Sequence, residues 1–332
     1  MNFLIIGLGS MGKRRIRNLQ ALGYNPNQIY GFDVRQDRLN EVKSIYNINT
    51  INALNDDTWN NVECVIVSTP PDKHLDYLWM AVKRNKPVFV EASVILEGLE
   101  ELNTYIEEKG LLVAASCTMR YHPSIQQVKE IVQSKKYGKP TSFYFTSGQY
   151  LPDWHPWEDI KDFYVSQRAT GGCREIVPYE LTWLVDVFGF PEEICGFKEK
   201  TTNIDADIDD VYVISMKFKD FLGSLNVDVV ARSATRILIV NLENAQILWD
   251  WNSKQVKLYD ALTKRWIIYY EPEGTSTKGY EKNIIEEMYI GELQAFIKSV
   301  KQNVPFPNPL SEDIKVLKVL NLIEDSHTGV KV

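Results

Sequence analysis

The chain has 332 residues, of which 44% are hydrophobic and 24% charged, and its formal net charge is -7. This length is too great for one compact core and predicts two domains. The negative net charge excludes the basic field with which proteins attract nucleic acid or an anionic membrane surface. No segment has the charge order of a signal peptide or the roughly 20 apolar residues of a membrane span. We therefore expect a cytoplasmic protein that binds neither nucleic acid nor a membrane.

The cysteines are widely scattered, a pattern typical of reduced thiols rather than of a disulfide framework or a metal site with closely spaced ligands. We accordingly predict no metal. The four positions are Cys64, Cys117, Cys173 and Cys195.

The first part of the chain alternates short apolar runs with helical patterns. The apolar runs, which predict buried parallel strands, cover residues 3–6, 28–32, 64–67, 88–90 and 112–115. The helical patterns cover residues 13–22, 37–46, 74–85 and 99–109. Each helix would return the chain for the next parallel strand, as in an α/β Rossmann fold with a doubly wound parallel sheet. We place this first domain at residues 1–119.

The remaining residues, 120–332, predict a second domain of α+β type. A helical pattern over 124–134 precedes a strand-like run at 141–145, and several further runs of high strand propensity lie between residues 211 and 270. The short intervals between these runs indicate one open, mostly antiparallel sheet. Helical patterns at 286–301 and 311–324 close the chain.

A glycine motif follows the first predicted strand directly and opens the first predicted helix. In a GxGxxG at this position the first glycine permits a tight turn, the second lets the backbone approach a pyrophosphate, and the third lets helix and strand pack closely. The helix N-terminus would then face the phosphates. The motif predicts a dinucleotide site formed by Gly7, Gly9, Ser10, Met11 and Gly12.

Asp33 ends the second predicted strand about 20 residues beyond the last glycine, the spacing of a ribose-binding carboxylate. Because a carboxylate accepts from ribose hydroxyls and repels a 2′-phosphate, NAD is favoured over NADP. Arg35 keeps NADP open as an alternative, since a nearby arginine can accommodate the extra phosphate.

A second loop follows the strand at 64–67, at the carboxyl edge where open α/β sheets bind ligands. Ser68, Thr69 and Pro70 are therefore predicted to touch the cofactor. The structural alternative is a turn fixed by two prolines, and the two interpretations are compatible because a rigid loop can serve both roles. His74, which we place beside the cofactor, is interpreted as the start of a helix rather than as a catalytic residue.

These features, together with MRYHPSIQQVKEIV, YGKPTSFYF and EEMYIGELQAFIKSV further along, resemble the Gfo/Idh/MocA oxidoreductase family. The stretch GQYLPDWHPWEDIKDFY is similar to a subgroup of surface-polysaccharide and nucleotide-sugar enzymes. The resemblance implies hydride transfer between a nicotinamide and a hydroxyl carbon of a sugar, in a cleft between the domains. It also implies a homodimer or homotetramer with contacts on the exposed face of the second sheet.

The chain departs from the family pattern at two places. Where the family has Glu-Lys-Pro, this chain has Glu91-Ala92-Ser93, so that Glu91 remains as a cofactor residue but the lysine is absent. Where the family has a carboxylate and, one helical turn later, a histidine, this chain has Glu175 and Tyr179. Both catalytic side chains usual in the family are thus missing.

Oxidation of an alcohol needs a base for the hydroxyl proton, which the cofactor does not provide. Tyr179 is the first choice by position, and would need a cation such as Arg174 or Arg120 to act near neutrality; Glu175 is the orienting group or alternate base. Each also has a purely structural alternative: Tyr179 as an aromatic side chain that only packs in the core, and Glu175 as a carboxylate at the start of a helix.

Four side chains are predicted to bind substrate: Arg120, Trp154, Tyr164 and Arg168. Aromatic rings suit the apolar faces of a sugar, and an arginine suits an acidic or phosphorylated group. The aromatic stretch also includes Tyr150, His155 and Trp157. Its aromatics would equally well anchor a loop or a subunit contact, and Arg168 would equally well be an ordinary exposed arginine.

The sequence thus predicts an NAD-dependent dehydrogenase or reductase acting on a sugar or nucleotide sugar. Two alternatives remain open. One is an enzyme that uses bound NAD without net oxidation, as glycosidases and epimerase-like members of the family do. The other is a catalytically silent NAD-binding module, because the usual lysine and histidine are absent.

Overall fold

The computed structural model describes residues 1–154, 160–162, 164–275 and 285–326. They form two compact units, the first made of Met1–Thr118 with Glu286–Lys315 and the second of Met119–Ile285 with the residues from Val316 onward. None of the described helices combines the length and the hydropathy that crossing a membrane requires.

The N-terminal part of the first unit alternates strands and helices. Its elements are β1 (Phe3–Ile6), α1 (Ser10–Ala21), β2 (Ile29–Phe32), α2 (Gln36–Tyr46), β3 (Asn49–Ile51), α3 (Asp56–Asn61), β4 (Cys64–Val67), α4 (His74–Val82), β5 (Val88–Val90), α5 (Leu99–Lys109) and β6 (Val113–Ala115).

Within the part of the first unit that the structure describes, six strands form one sheet in the order β3-β2-β1-β4-β5-β6. All neighbouring strands are parallel. The residues of β1, β4, β5 and β6 are buried because helices cover both faces of such a sheet, which explains their unbroken apolar runs. The predicted doubly wound Rossmann fold is confirmed.

The second unit begins with α6 (Pro123–Gln133). It continues with β7 (Pro140–Tyr150), α7 (Cys173–Phe188), β8 (Glu193–Glu199), β9 (Val211–Lys217), β10 (Leu222–Asp228), β11 (Val230–Leu242), β12 (Ala245–Asp250), β13 (Gln255–Asp260) and β14 (Arg265–Tyr270). Two helices close the described chain, α8 (Glu286–Gln302) and α9 (Leu310–Asp325).

Eight described strands of this unit form a sheet in the order β14-β13-β12-β11-β7-β10-β9-β8. Six neighbouring pairs are antiparallel and β7 pairs with β10 in parallel, so the predicted mostly antiparallel sheet is confirmed. One face is buried and carries large side chains such as Phe143, Phe145 and Trp249. The opposite face carries exposed apolar side chains, among them Tyr144 and Ile237.

The first unit differs from the predicted continuous domain at 1–119, because it also contains Glu286–Lys315. Helix α8 packs on α1, and its Glu292 accepts a hydrogen bond from the backbone N–H of Cys117 at 2.5 Å. Further on, the backbone N–H of Ala115 donates to the carbonyl of Asn308 at 3.0 Å. These long-range contacts assign the segment to the first unit although it lies far along the sequence.

Candidate active site

The glycine motif forms the turn between β1 and α1. Gly7 has a φ of 90°, and a Cβ atom there would lie 2.6 Å from the carbonyl oxygen of Ser68. A Cβ atom on Gly12 would lie 2.0 Å from the carbonyl oxygen of Gly7. Both positions therefore exclude any larger residue, as the predicted roles of the two glycines require.

Gly9 occupies a different environment, because among the described residues only the Arg38 guanidinium, at 3.6 Å, would meet a Cβ atom there. Gly9 is the N-cap of α1, and no described side chain caps this helix end. Ser10 and Met11 form the first turn of α1, where the backbone N–H groups point outward along the axis. An open approach to the N-terminus of a helix fits the pyrophosphate of a dinucleotide.

Asp33 lies at the end of β2, is 7% exposed, and is held beside the glycine turn. Its Oδ2 accepts from the backbone N–H of Leu8 at 2.7 Å, and its Oδ1 accepts from the backbone N–H of Arg35 at 2.9 Å. These bonds fix the carboxylate next to the glycine turn, and its role as the ribose-binding acid stays a prediction.

The arginine next to this carboxylate is Arg38, which sequence analysis missed. Its Nη1 lies 3.4 Å from Oδ2 of Asp33, whereas the guanidinium of Arg35 pairs with exposed Asp37 at 2.5 Å. The first turn of the helix after the acidic strand end was the available signal, because a basic residue there can reach back to that strand end. A role for the Arg35 side chain in cofactor binding stays a prediction.

The loop after β4 is anchored to both neighbouring strands. Ser68 donates its backbone N–H to Ile6 at 2.7 Å and its hydroxyl to Glu91 at 3.2 Å. His74, the first residue of α4 as predicted, is 2% exposed and bonds through Nε2 to the carbonyl of Thr69 at 2.9 Å. Burial lowers the pKa of His74. A neutral ring bonded in this way braces the loop, and Pro70 precedes a single 3-10 turn.

Glu91, at the end of β5, belongs to a buried ionic network. Its two carboxylate oxygens accept from Nε and Nη2 of Arg15 at 2.6 and 2.8 Å. The same Nη2 donates to Glu292 at 2.8 Å, and the side chains of Arg15 and Glu292 are both fully buried. Glu292 also accepts from the hydroxyls of Ser116 and Thr118, each at 3.0 Å. The network fixes Glu91, and thereby Ser68, at the carboxyl ends of β4 and β5.

In the second unit, α7 carries both predicted catalytic residues. The helix starts after Gly171 and Gly172, where a Cβ atom on Gly171 would lie 1.9 Å from the carbonyl oxygen of Val165. Glu175 lies in the first turn, and Tyr179 follows one turn later on the same face. Both side chains are half-buried.

Glu175 has an asymmetric environment. Tyr164 donates its hydroxyl to Oε1 at 2.8 Å, whereas Oε2 is buried and has no hydrogen-bond partner among the described residues. Burial raises the pKa of Glu175 to about 7, an effect that the Tyr164 hydrogen bond opposes. A carboxyl group in this state can accept and return a proton near neutral pH.

The arginines that we expected to act on Tyr179 or on substrate form hydrogen bonds and ion pairs within the second unit. Arg120 donates from Nε to the carbonyl of Thr182 at 3.0 Å, and Arg174 donates to Glu324 at 3.0 Å. Arg168 pairs with Asp207 at 2.9 Å and also with Asp209. The structure thus brings Tyr164 and Glu175 together but directs Arg120 and Arg168 toward neighbouring loops and helices.

Trp154 is half-buried, and its Nε1 is buried without a partner among the residues that the structure describes. His155 and Trp157, which were predicted to belong to the same aromatic wall, lie outside the described residues. The substrate-binding role of Trp154 stays a prediction.

Two family comparisons cover most of the chain. Residues 1–116 match an oxidoreductase family with an NAD-binding Rossmann fold, and residues 125–247 match the GFO/IDH/MocA C-terminal domain.

Solved structures share this architecture over nearly their whole length. An oxidoreductase from Agrobacterium radiobacter, crystallised with NAD+, L-tartaric acid and magnesium, is similar with a TM-score of 0.85 at 13% identity, covering 98% of this chain and 96% of that chain. Levoglucosan dehydrogenase in complex with NADH gives 0.83 at 15%, with 98% and 96% covered. UDP-N-acetylglucosamine 3-dehydrogenase from Acidithiobacillus ferrooxidans gives 0.77 at 14%, with 98% and 97% covered.

At these identities the solved structures establish the fold, while the two family matches establish the lineage. The glycine turn and Asp33 are the residues predicted to bind the dinucleotide. The protein therefore belongs to the GFO/IDH/MocA family of oxidoreductases, and its cofactor is NAD.

Proposed function

We propose that the protein is an NAD-dependent dehydrogenase or reductase that transfers a hydride between nicotinamide and a hydroxyl-bearing carbon of a sugar or nucleotide sugar. The observation that carries the proposal is Glu175, a half-buried carboxyl group with one oxygen held by Tyr164 and the other without a described partner. Two solved structures of the same fold are named as dehydrogenases of levoglucosan and of UDP-N-acetylglucosamine, which supports a sugar as the substrate class.

In the oxidative direction, the carbinol carbon gives up a hydride to bound NAD+ and becomes a carbonyl carbon. The hydroxyl proton passes to Oε2 of Glu175, so that the two electrons leave with the hydride and the proton stays on the protein. In the reductive direction the protonated Glu175 returns its proton to the forming alkoxide. Because its pKa is about 7, both forms of the group are available near neutral pH.

Tyr179 is the second candidate for the proton acceptor, one helical turn after Glu175. We rank Glu175 first because a free phenol titrates near pH 10, whereas burial raises the pKa of Glu175 to about 7. Tyr179 then serves to orient the substrate hydroxyl.

The test is an assay of the purified protein with NAD+ and a panel of sugars and UDP-sugars, followed by the nicotinamide absorbance and by product mass. We expect an absorbance change with at least one sugar, and Glu175→Gln is expected to lower kcat by roughly a hundredfold or more. Glu192→Gln, at an exposed position of the same unit, is the matched control. Product without an absorbance change would favour chemistry without net oxidation, and neither signal would favour a silent NAD-binding module.

We also propose a homodimer or homotetramer that buries the exposed sheet face of the second unit. Strand register places Ile237, Tyr144 and Val213 on this one face, and their exposed fractions are 44%, 52% and 48%. An apolar face of this kind on a soluble chain favours association with a complementary surface.

A further inference from the structure

Tyr164 and Glu175 come from a loop and a helix, and they meet through one hydrogen bond. The loop runs from Tyr164 to the two glycines that precede α7. The Tyr164 hydroxyl donates to Oε1 of Glu175 at 2.8 Å and leaves Oε2 as the oxygen with no described partner. The contact therefore distinguishes the two oxygens of a single carboxyl group.

The backbone of Tyr164 is fixed by its own loop. Its carbonyl oxygen accepts from the Thr170 hydroxyl at 2.8 Å and from the backbone N–H of Gln167 at 3.2 Å. Val165 is 2% exposed, and its carbonyl accepts from the backbone N–H of Gly172 at 3.1 Å. The hydrogen bond between Val165 and Gly172 thus joins the start of the loop to the residue that precedes α7.

A second set of contacts holds the other side of this loop. Arg168 pairs with Asp207 and Asp209, and Ser166 accepts through its carbonyl from the backbone N–H of Asp207 at 2.9 Å. The carbonyl of Asp209 in turn accepts from the backbone N–H of Cys173, the first residue of α7. The Tyr164 loop and the start of α7 therefore share one support, which keeps the hydroxyl and the carboxyl at a fixed separation.

We propose that Tyr164 is a positioning residue that holds Oε1 of Glu175, so that Oε2 alone is presented to the substrate hydroxyl. The role of Oε2 in this inference rests on the proposed function. The hydrogen bond and its effect on the pKa of Glu175 are independent of that function. Tyr164 is a titratable side chain that contacts Glu175 directly. The neighbouring Arg174 instead contacts Glu324 and the carbonyl of Ala169.

The hydrogen bond has a measurable effect on the proton affinity of Glu175. A donor to the carboxylate favours its charged form, so the Tyr164 bond opposes the burial that raises the pKa of Glu175 to about 7. Removing this donor without removing the ring should raise the titration midpoint of Glu175 by roughly half to one pH unit, the effect of one ordinary hydrogen bond.

The experiment is a carbon NMR titration of the full chain labelled at the glutamate carboxyl carbon, which needs no substrate. The Glu175 resonance is assigned by its absence in Glu175→Gln. We expect a midpoint near 7 in the wild type, a higher midpoint in Tyr164→Phe, and no change in Tyr105→Phe, which removes the hydroxyl of a half-buried tyrosine on α5 in the first unit.

Thr170→Val provides a second variant, because it removes the hydroxyl that holds the Tyr164 carbonyl. Its midpoint should move in the same direction as that of Tyr164→Phe. Unchanged midpoints in both variants would overturn the positioning role. With a substrate that the enzyme converts, the pH at which kcat/KM falls to half its maximum should move with the NMR midpoint. A Glu175→Gln variant that stays active would overturn the proposed function but would not change the titration result.

Discussion

At the scale of single residues, the surroundings of two carboxylates give them different tasks. Asp33 accepts hydrogen bonds from two backbone N–H groups and lies beside Arg38, next to the glycine turn. Glu175 has one hydroxyl donor and no described cation, and burial raises its pKa to about 7. The first arrangement suits permanent recognition of hydroxyl groups, and the second suits proton transfer.

The pair of Asp33 and Arg38 makes a prediction about cofactor choice. Asp33→Ser removes the charge that repels a 2′-phosphate and leaves the Arg38 guanidinium beside the vacant position. We expect NADP(H) to bind at least about tenfold more tightly to this variant than to the wild type, as measured by calorimetric titration. The double variant Asp33→Ser/Arg38→Met should lose the gain. A gain of equal size in the double variant would show that Arg38 takes no part.

Glu175 makes a prediction in which stability and activity change in opposite directions. Its folded pKa lies above the ordinary value of 4.5, so the folded state holds the proton more tightly than the unfolded state. The stabilisation is complete below about pH 4.5 and is lost as the pH rises through 7. Glu175→Gln should therefore raise the free energy of unfolding by about 1–3 kcal/mol above pH 7 while it lowers kcat by roughly a hundredfold or more.

The measurement is urea denaturation of both proteins over a series of pH values. The difference between the two should shrink as the pH falls from 8 toward 5, because the wild-type carboxyl becomes neutral. A difference independent of pH would mean that the amide acts through packing, and the raised pKa would then have no part in the stability of the protein.

At the scale of elements, long apolar strands and the glycine turn were predictable, and short polar elements were not. Strands β1, β4 and β5 have the predicted bounds because an unbroken apolar run is the signature of a strand buried on both faces. Strand β3 and helix α3 were missed, since each is short and mostly polar. Strand β8 was also missed, because it lies at a sheet edge and only one of its seven residues is buried.

The candidate site divides in the same way. The cofactor residues can be predicted from the sequence because a turn of fixed length and a strand end place them by local rules. The network of Arg15, Glu91 and Glu292 joins a helix to a strand end and to a second helix 277 positions away from Arg15. No local sequence pattern predicts such a contact. The hydrogen bond between Tyr164 and Glu175 was not predictable for the same reason.

This network makes a prediction about the stability of the first unit. Arg15→Met leaves Glu91 and Glu292 without their cation in a buried place, and burial already raises the pKa of Glu292 despite the opposing effect of Arg15. We expect a loss of about 3–5 kcal/mol in the free energy of unfolding. Lys13→Met removes a partly exposed ion pair with Glu41 from the same helix and should cost less than about 1 kcal/mol. Equal losses in urea denaturation would refute a special role for the network.

At the scale of the whole molecule, both compact units are discontinuous in sequence. The first contains Glu286–Lys315, and the change back to the second falls within α9. The sequence pattern predicted α8 and α9 as two helices, but it did not indicate to which unit each helix belongs. Long-range hydrogen bonds, such as the one from Cys117 to Glu292, decide that assignment.

The uncovered sheet face of the second unit makes the last prediction. Its exposed apolar side chains lie on β7, β9 and β11, and in the cross-strand row that holds Val213 and Ile237 the residues between them are Asn226 and Thr146. A stable interface of ordinary size buries about 800 Å² on each partner, and an unpaired charge at its centre costs several kcal/mol.

We therefore expect the wild-type protein to have the mass of a dimer or tetramer in analytical ultracentrifugation, and Ile237→Glu to weaken the association at least about a hundredfold. The matched control is Ile45→Glu, which places the same charge at a 61% exposed isoleucine of α2 in the first unit and should leave the mass unchanged. Since Ile237 is itself 44% exposed, the charge should not unfold the monomer, and circular dichroism checks this. A monomeric wild type, or an Ile237→Glu variant that keeps the wild-type mass, would mean that the sheet face stays uncovered in solution or is not the surface through which the copies associate.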